Sequence, residues 1–156
     1  MSSTGSGNDA VVRLVAEAIA LHEAAAVSLG LNPTDLRCLA LIASEENPTP
    51  SRLAELSGLT TGAITGVMDR LEKAGFLSRG VDPADRRRQT LALNEGRMRE
   101  LALAFGPAAA ESQSVAQELG VERELAADYL RRLADVFASE AARLNVAARG
   151  GMTTRR

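Results

Sequence analysis

Between Pro50 and Asn94 the hydrophobic period changes from helical to alternating, with three consecutive arginines set inside the alternating part, and no other feature restricts the fold as much. Ser51 opens a short helix in which Leu53 and Leu56 sit three apart, and Gly58 supplies the permissive backbone that ends it within a turn. A second helix follows at once. Thr60 is its N-cap, and Ile64, Val67, Met68 and Leu71 stripe one face with apolar side chains. The opposite face carries Thr61, Gly62, Thr65, Gly66 and Asp69 with Arg70 at its flank, a set of small and polar residues that lets a helix backbone approach the floor of a major groove. Gly75 ends this helix. Phe76, Leu77 and Arg79 then begin one strand, and Thr90 to Leu93 form a second in which Leu91 and Leu93 share a face.

Between the strands lies Asp82-Pro83-Ala84-Asp85-Arg86-Arg87-Arg88, a turn-forming start followed by three guanidinium groups. Like charges crowded on a short turn repel one another, so the segment suits a phosphate backbone or a narrow minor groove better than a protein core. Two helices, a hairpin and a basic tip in this order make a winged helix-turn-helix. The fold class expected for the whole chain is mostly α with a small β-hairpin wing.

These residues resemble the MarR-type bacterial transcription regulators. The likeness rests on Met68-Asp69-Arg70-Leu71-Glu72-Lys73-Ala74 closed by Gly75, on Phe76-Leu77 and Arg79, on Asp82-Pro83-Ala84-Asp85-Arg86-Arg87, and on the closing Leu91-Ala92-Leu93-Asn94. The resemblance implies a dimeric repressor that binds a pseudo-palindromic double-stranded operator and is released by a small effector, whose site the sequence does not locate. It also implies that Arg87 is the wing arginine that enters the minor groove, with Asp85 as the acid that braces it. Arg86 and Arg88 then fall to phosphate contacts or intramolecular pairs. Members of the family often carry an arginine where this chain has Gly66, so base reading here is expected to lean on Thr61, Thr65 and Arg70, or on DNA shape. The recognition-helix set is therefore Thr60, Thr61, Gly62, Thr65, Gly66, Asp69 and Arg70, and the wing set is Asp85, Arg86, Arg87 and Arg88.

A formal net charge of -2 argues at first against nucleic acid, but its distribution reverses the argument. Residues 51–99 hold nine basic and six acidic side chains, a local charge of +3, which leaves -5 on the remainder. An acidic body with a basic reading segment binds DNA locally without indiscriminate attachment.

The flanks read as helices. Val11 to Leu29 forms one, with Val12, Val15, Ile19, Ala26 and Leu29 on a broad apolar face, and Gly30 ends it. Pro33 starts the next after Asn32, with Leu36, Leu39, Ala40 and Ile42 at core spacing. Beyond the wing, Asn94 caps a helix that Gly106-Pro107 is expected to interrupt, Ala108 to Leu119 resumes, and Gly120 turns the chain into a final helix from Val121 to Ala147. Leu130, Leu133, Phe137, Ala141 and Leu144 stripe that last helix and require a partner along its length, so a homodimer is expected. The expected organisation is a disordered tail over 1–9, helical dimerisation segments over 10–30 and 95–148, the winged unit over 31–94, and a second disordered tail over 149–156.

Nothing points to an enzyme, a cofactor or a metal. There is no phosphate-cradling glycine loop and no nucleophile with a base, and one histidine, His22, cannot build a metal site alone. Cys38, the single cysteine, reads as a small buried apolar residue. The N-terminus lacks the basic and apolar pattern of an export signal, and no apolar run approaches the roughly 20 residues of a membrane span, so a cytoplasmic protein is expected. The competing class is a winged helix that docks its arginines on an acidic protein partner without reading DNA.

Overall fold

The computed structural model describes residues 7–46, 48–81 and 89–152. Six helices and one hairpin follow in the order α1 (Gly7–Ser28), α2 (Pro33–Ser44), α3 (Pro50–Ser57), α4 (Thr61–Lys73), β1 (Leu77–Val81), β2 (Gln89–Leu93), α5 (Glu95–Glu118) and α6 (Arg123–Met152). The strands pair antiparallel from Leu77 opposite Leu93 to Val81 opposite Gln89.

Local chemistry sets most of these boundaries. The side chains of Asn32, Thr49, Thr60 and Asn94 each accept a hydrogen bond from the backbone N–H three residues on, which satisfies a donor the helix itself leaves open. Thr49 is thus the cap of α3 with Pro50 in its first turn, one residue ahead of the expected start at Ser51. At the end of α4, Gly75 adopts a φ of 76°, its N–H bonds Glu72 O at 2.9 Å, and the Phe76 N–H bonds Leu71 O at 2.9 Å. This is the paired closure that needs a left-handed residue, which glycine adopts without steric cost. It also swings Phe76 into the core instead of onto the strand, so β1 begins at Leu77.

The core lies under the winged unit. Leu36, Leu39 and Ile42 of α2, Leu53 of α3, Ile64, Val67, Met68 and Leu71 of α4, and Phe76 and Leu77 close on one another, with Ala25 and Ala26 from the last turns of α1 and Leu29 just after it. In α2 the inward position is Cys38, whereas Ala40, expected inside, faces solvent.

Three expectations about the flanks are corrected. Gly106-Pro107 does not interrupt α5, which runs unbroken through both. Proline removes one ladder N–H, but here it stands at an exposed position and is followed by Ala108, Ala109 and Ala110, the best helix formers, so the helix continues past it. The first helix starts at Gly7, inside the segment 1–9 expected to be disordered, with Asp9 in its first turn where the helix dipole favours an acid. The last helix continues to Met152, five residues past its expected end at Ala147. Residues 1–6 and 153–156 of the two expected tails lie outside the described residues. No single helix among the described residues is long and apolar enough to cross a membrane.

Candidate nucleic-acid interface

The helix α4 presents two unlike faces. Ile64, Val67, Met68 and Leu71 are buried, whereas Thr61, Gly62, Thr65, Asp69 and Arg70 are exposed and Gly66 is partly so. A Cβ added at Gly62 would meet nothing within 4 Å, so this face is open as well as small. Gly58, at a φ of 75°, and the Thr60 cap turn the chain from α3 into α4 and set the angle at which that face is offered.

The threonines differ in what they have left to give. Thr60 Oγ1 accepts from the Ala63 N–H at 3.2 Å and is committed to the cap. The Thr65 hydroxyl donates to Thr61 O at 3.1 Å, so outward it offers an acceptor oxygen and a methyl group. Those are the features that accept from an adenine or cytosine amino group or contact a thymine methyl.

The charged pair at the end of the face is tied in two directions. Asp69 is ion-paired to Arg79 on β1, and Arg79 also lies 3.4 Å from Glu72 through Nε while its backbone N–H donates to Glu72 at 3.4 Å. The base of the hairpin is therefore fastened to α4. Arg70 turns the other way. Its Nε donates to Asp35 Oδ2 at 2.8 Å and its Nη2 to Asp35 Oδ1 at 2.7 Å. Asp35 lies in the first turn of α2 and is 2% exposed, and it also receives the Asn32 Nδ2–H at 2.6 Å. The hydrogen bonds to Asp35 push the Arg70 guanidinium still further above its ordinary pKa, so it is a permanent cation. Asp69 and Arg70 are both outward reading residues in the sequence-based expectation, and the structure gives each an internal partner. The expected wing residues Asp85, Arg86, Arg87 and Arg88 lie outside the described residues.

Sequence reasoning passed over Asp35, Glu72 and the role of Arg79. The only local signal at Asp35 is its position three residues after the Asn32 cap, which reads as ordinary capping. Its partner Arg70 stands 35 positions away. Elsewhere, burial pushes the Cys38 thiol pKa up, which suppresses the reactive thiolate, and His22 Nε2 donates to Pro33 O at 2.9 Å to join α1 to α2. No group of three or more His, Cys, Asp or Glu that could hold a metal ion occurs among the described residues.

Comparison with known proteins agrees with this geometry. The family model described as MarR family matches residues 31–88. The uncharacterized HTH-type transcriptional regulator YcgE of Bacillus subtilis (strain 168) is 33% identical over 133 residues, covering 85% of this chain and 86% of that protein. Among solved structures, CouR from Rhodococcus jostii RHA1 bound to p-coumaroyl-CoA superposes with a TM-score of 0.58 at 22% identity, covering 88% of this chain and 95% of that one. A mutant of S. aureus MepR bound to an oligodeoxyribonucleotide gives 0.56 at 14% identity, covering 86% and 99%. At these identities the two structures speak for the fold alone.

Proposed function

Because the chain belongs to the MarR family, whose members are DNA-binding transcriptional regulators and not enzymes, we propose that it acts as a homodimeric repressor on a pseudo-palindromic operator. The observation that carries this reading is the open, small-residue face of α4, fastened through Asp69 and Arg79 to the root of an arginine-bearing hairpin. Each protomer lays one such face in a major groove and one wing beside it, with the two reading helices about 34 Å apart. Thr61, Thr65 and Arg70 read base edges, Gly62 and Gly66 admit the backbone, and Thr60 holds the helix start. Arg87, braced by Asp85, enters the minor groove, while Arg86 and Arg88 contact phosphate. Family membership favours duplex DNA over an acidic protein as the partner of the hairpin, and a regulator of this kind works in the cytoplasm.

Dimerisation is supported by uncovered apolar side chains on the terminal helices. Val12 and Ile19 of α1, Leu119 at the C-cap of α5, and Leu130 and Leu144 of α6 are each more than half exposed in the single chain. Helices striped in this way bury their apolar face against a second copy. Release by a small effector is supported by a crevice of about 810 Å³ between the winged unit and α6, lined by Ile19, Leu41, Leu56 and Phe137 with Arg37 beside them. CouR, a structural relative, binds p-coumaroyl-CoA. A ligand that prefers one spacing of the two wings shifts the population away from the DNA-competent state.

Mobility shift against duplexes selected from a random-sequence pool tests the reading. Arg87→Ala is expected to weaken binding to all sequences and to reduce the salt slope by about one unit, because one fewer guanidinium displaces counterions from the duplex. Thr65→Ala is expected to change discrimination between the selected and a scrambled duplex. Equal losses on both duplexes for Thr65→Ala would remove it from the reading set, and failure of the wild type to select any duplex would defeat the proposal.

A further inference from the structure

Arg70 is half exposed although two of its nitrogens are bonded to a carboxylate that solvent hardly reaches. The geometry explains this. Asp35 takes the side-on edge of the guanidinium, Nε and Nη2, which leaves both hydrogens of Nη1 and the second hydrogen of Nη2 outside that pair. Nη1 has no hydrogen-bond partner among the described residues, and it lies 3.4 Å from the point where a Cβ on Gly66 would stand. The free edge of Arg70 therefore lies over the glycine of the reading face and is fixed there by a carboxylate whose own place is held by the Asn32 side chain and backbone cap.

We propose that Asp35 is a specificity-determining positioning residue: by clamping the side-on edge of Arg70 it aims the Nη1/Nη2 edge over Gly66 at the O6 and N7 acceptors of one guanine in each half-site. This role rests on the proposed DNA-reading function and adds to it a residue that never touches DNA. A guanidinium on a free side chain samples many rotamers and meets phosphate and bases alike, whereas one held at a fixed angle offers a planar pair of donors that matches guanine and mismatches adenine. Asp35 thus converts a cation that would add general affinity into one that discriminates. Burial of the carboxylate serves the same end: removed from water and held at both oxygens, it cannot swing with the arginine.

The test measures affinity for duplexes selected by the wild-type protein and for scrambled duplexes, in the full chain, with circular dichroism to follow folding. Asp35→Asn is expected to lower the ratio of selected to scrambled affinity roughly tenfold, with affinity for scrambled DNA unchanged or raised because one acidic charge is gone. Arg70→Lys keeps the charge but lacks the fork, and it is expected to lose the same ratio. The double variant should lose no more than either single one, and single-base substitution of the selected duplex should place the missing discrimination at one guanine per half-site. Equal weakening on both duplexes would mark the pair as a structural or phosphate-contacting element and overturn the proposal, as would full discrimination in Arg70→Lys. Should Asp35→Asn fail to fold, Asp35→Asn with Arg70→Gln, which leaves no buried charge unpaired, takes its place, and an undiminished ratio there overturns it equally. If the wild type selects a duplex and the variants discriminate as well as it does, only the role of Asp35 falls. If the wild type selects none, the DNA-reading function falls with it.

Discussion

The winged unit and the terminal helices are built from the same apolar residues at the same helical spacings, yet only the first closes a core. In the winged unit Leu39, Ile64, Leu71 and Phe76 are at 0% exposure, whereas α5 buries no residue, and Leu103 within it and Leu119 at its C-cap are 76% and 74% exposed. The difference lies in how the chain crosses itself. Short elements joined by tight turns at Gly58 and Gly75 contribute inward side chains from α2, α3, α4 and β1 to one cluster, so each is surrounded on several sides. The long helices α5 and α6 run past the unit and meet other elements along part of one face only. Apolar side chains left uncovered in this way are what the proposed homodimer would bury. The single chain thus closes its core in the winged unit and leaves apolar side chains uncovered along the terminal helices.

Substitutions that treat the two regions alike should behave differently. Leu71→Ala removes a fully buried side chain and is expected to cost about 3 to 4 kcal/mol, enough to unfold much of the protein in a thermal melt. Leu103→Ala, an equivalent deletion on the exposed side of α5, should change the stability of the single chain, measured at a dilution that separates any dimer, by less than about 0.5 kcal/mol. Equal costs would erase the contrast between the regions. Next in size, Leu130→Glu with Leu144→Glu should leave the winged unit folded while weakening self-association by roughly 2 to 3 kcal/mol, since each would place a charge in the proposed dimer interface. Sedimentation read together with circular dichroism checks this, and an unchanged sedimentation coefficient would assign the apolar stripe of α6 to something other than a second copy. A smaller effect than that of the glutamates belongs to the junction of helix and wing. Arg79→Ala should reduce affinity for the selected duplex roughly fivefold, with a loss of fold stability on the order of 1 kcal/mol or less, because pairs with half-exposed Glu72 and more exposed Asp69 are weak individually. Calorimetry alongside mobility shift separates the two effects, and loss of stability without loss of affinity would show that the brace does not orient the wing.

What the sequence determined was local in its physics. The caps at Asn32, Thr60 and Asn94 are hydrogen bonds between a side chain and a backbone N–H three residues away, and the turns at Gly30, Gly58, Gly75 and Gly120 all have a positive φ that glycine reaches freely. Such features are complete within four or five residues, so the elements of the winged unit and the polarity of α4 could be read directly. The stripe on α6 was also legible, but not what covers it, because periodicity states that a face is apolar without saying which surface meets it. Tertiary structure decided the rest. Asp69 and Arg70 look alike in the sequence as outward charges on one helix, and only the angle at which α4 crosses α2 and abuts β1 sends one to Arg79 and the other to Asp35. Pro107 shows the converse: a residue that breaks helices on propensity alone is carried through α5, because the ladder hydrogen bonds on either side of one missing N–H outweigh its local cost. Propensity and capping act within a turn of helix, whereas an ion pair spanning 35 residues exists only after the chain has folded and brought its two halves together.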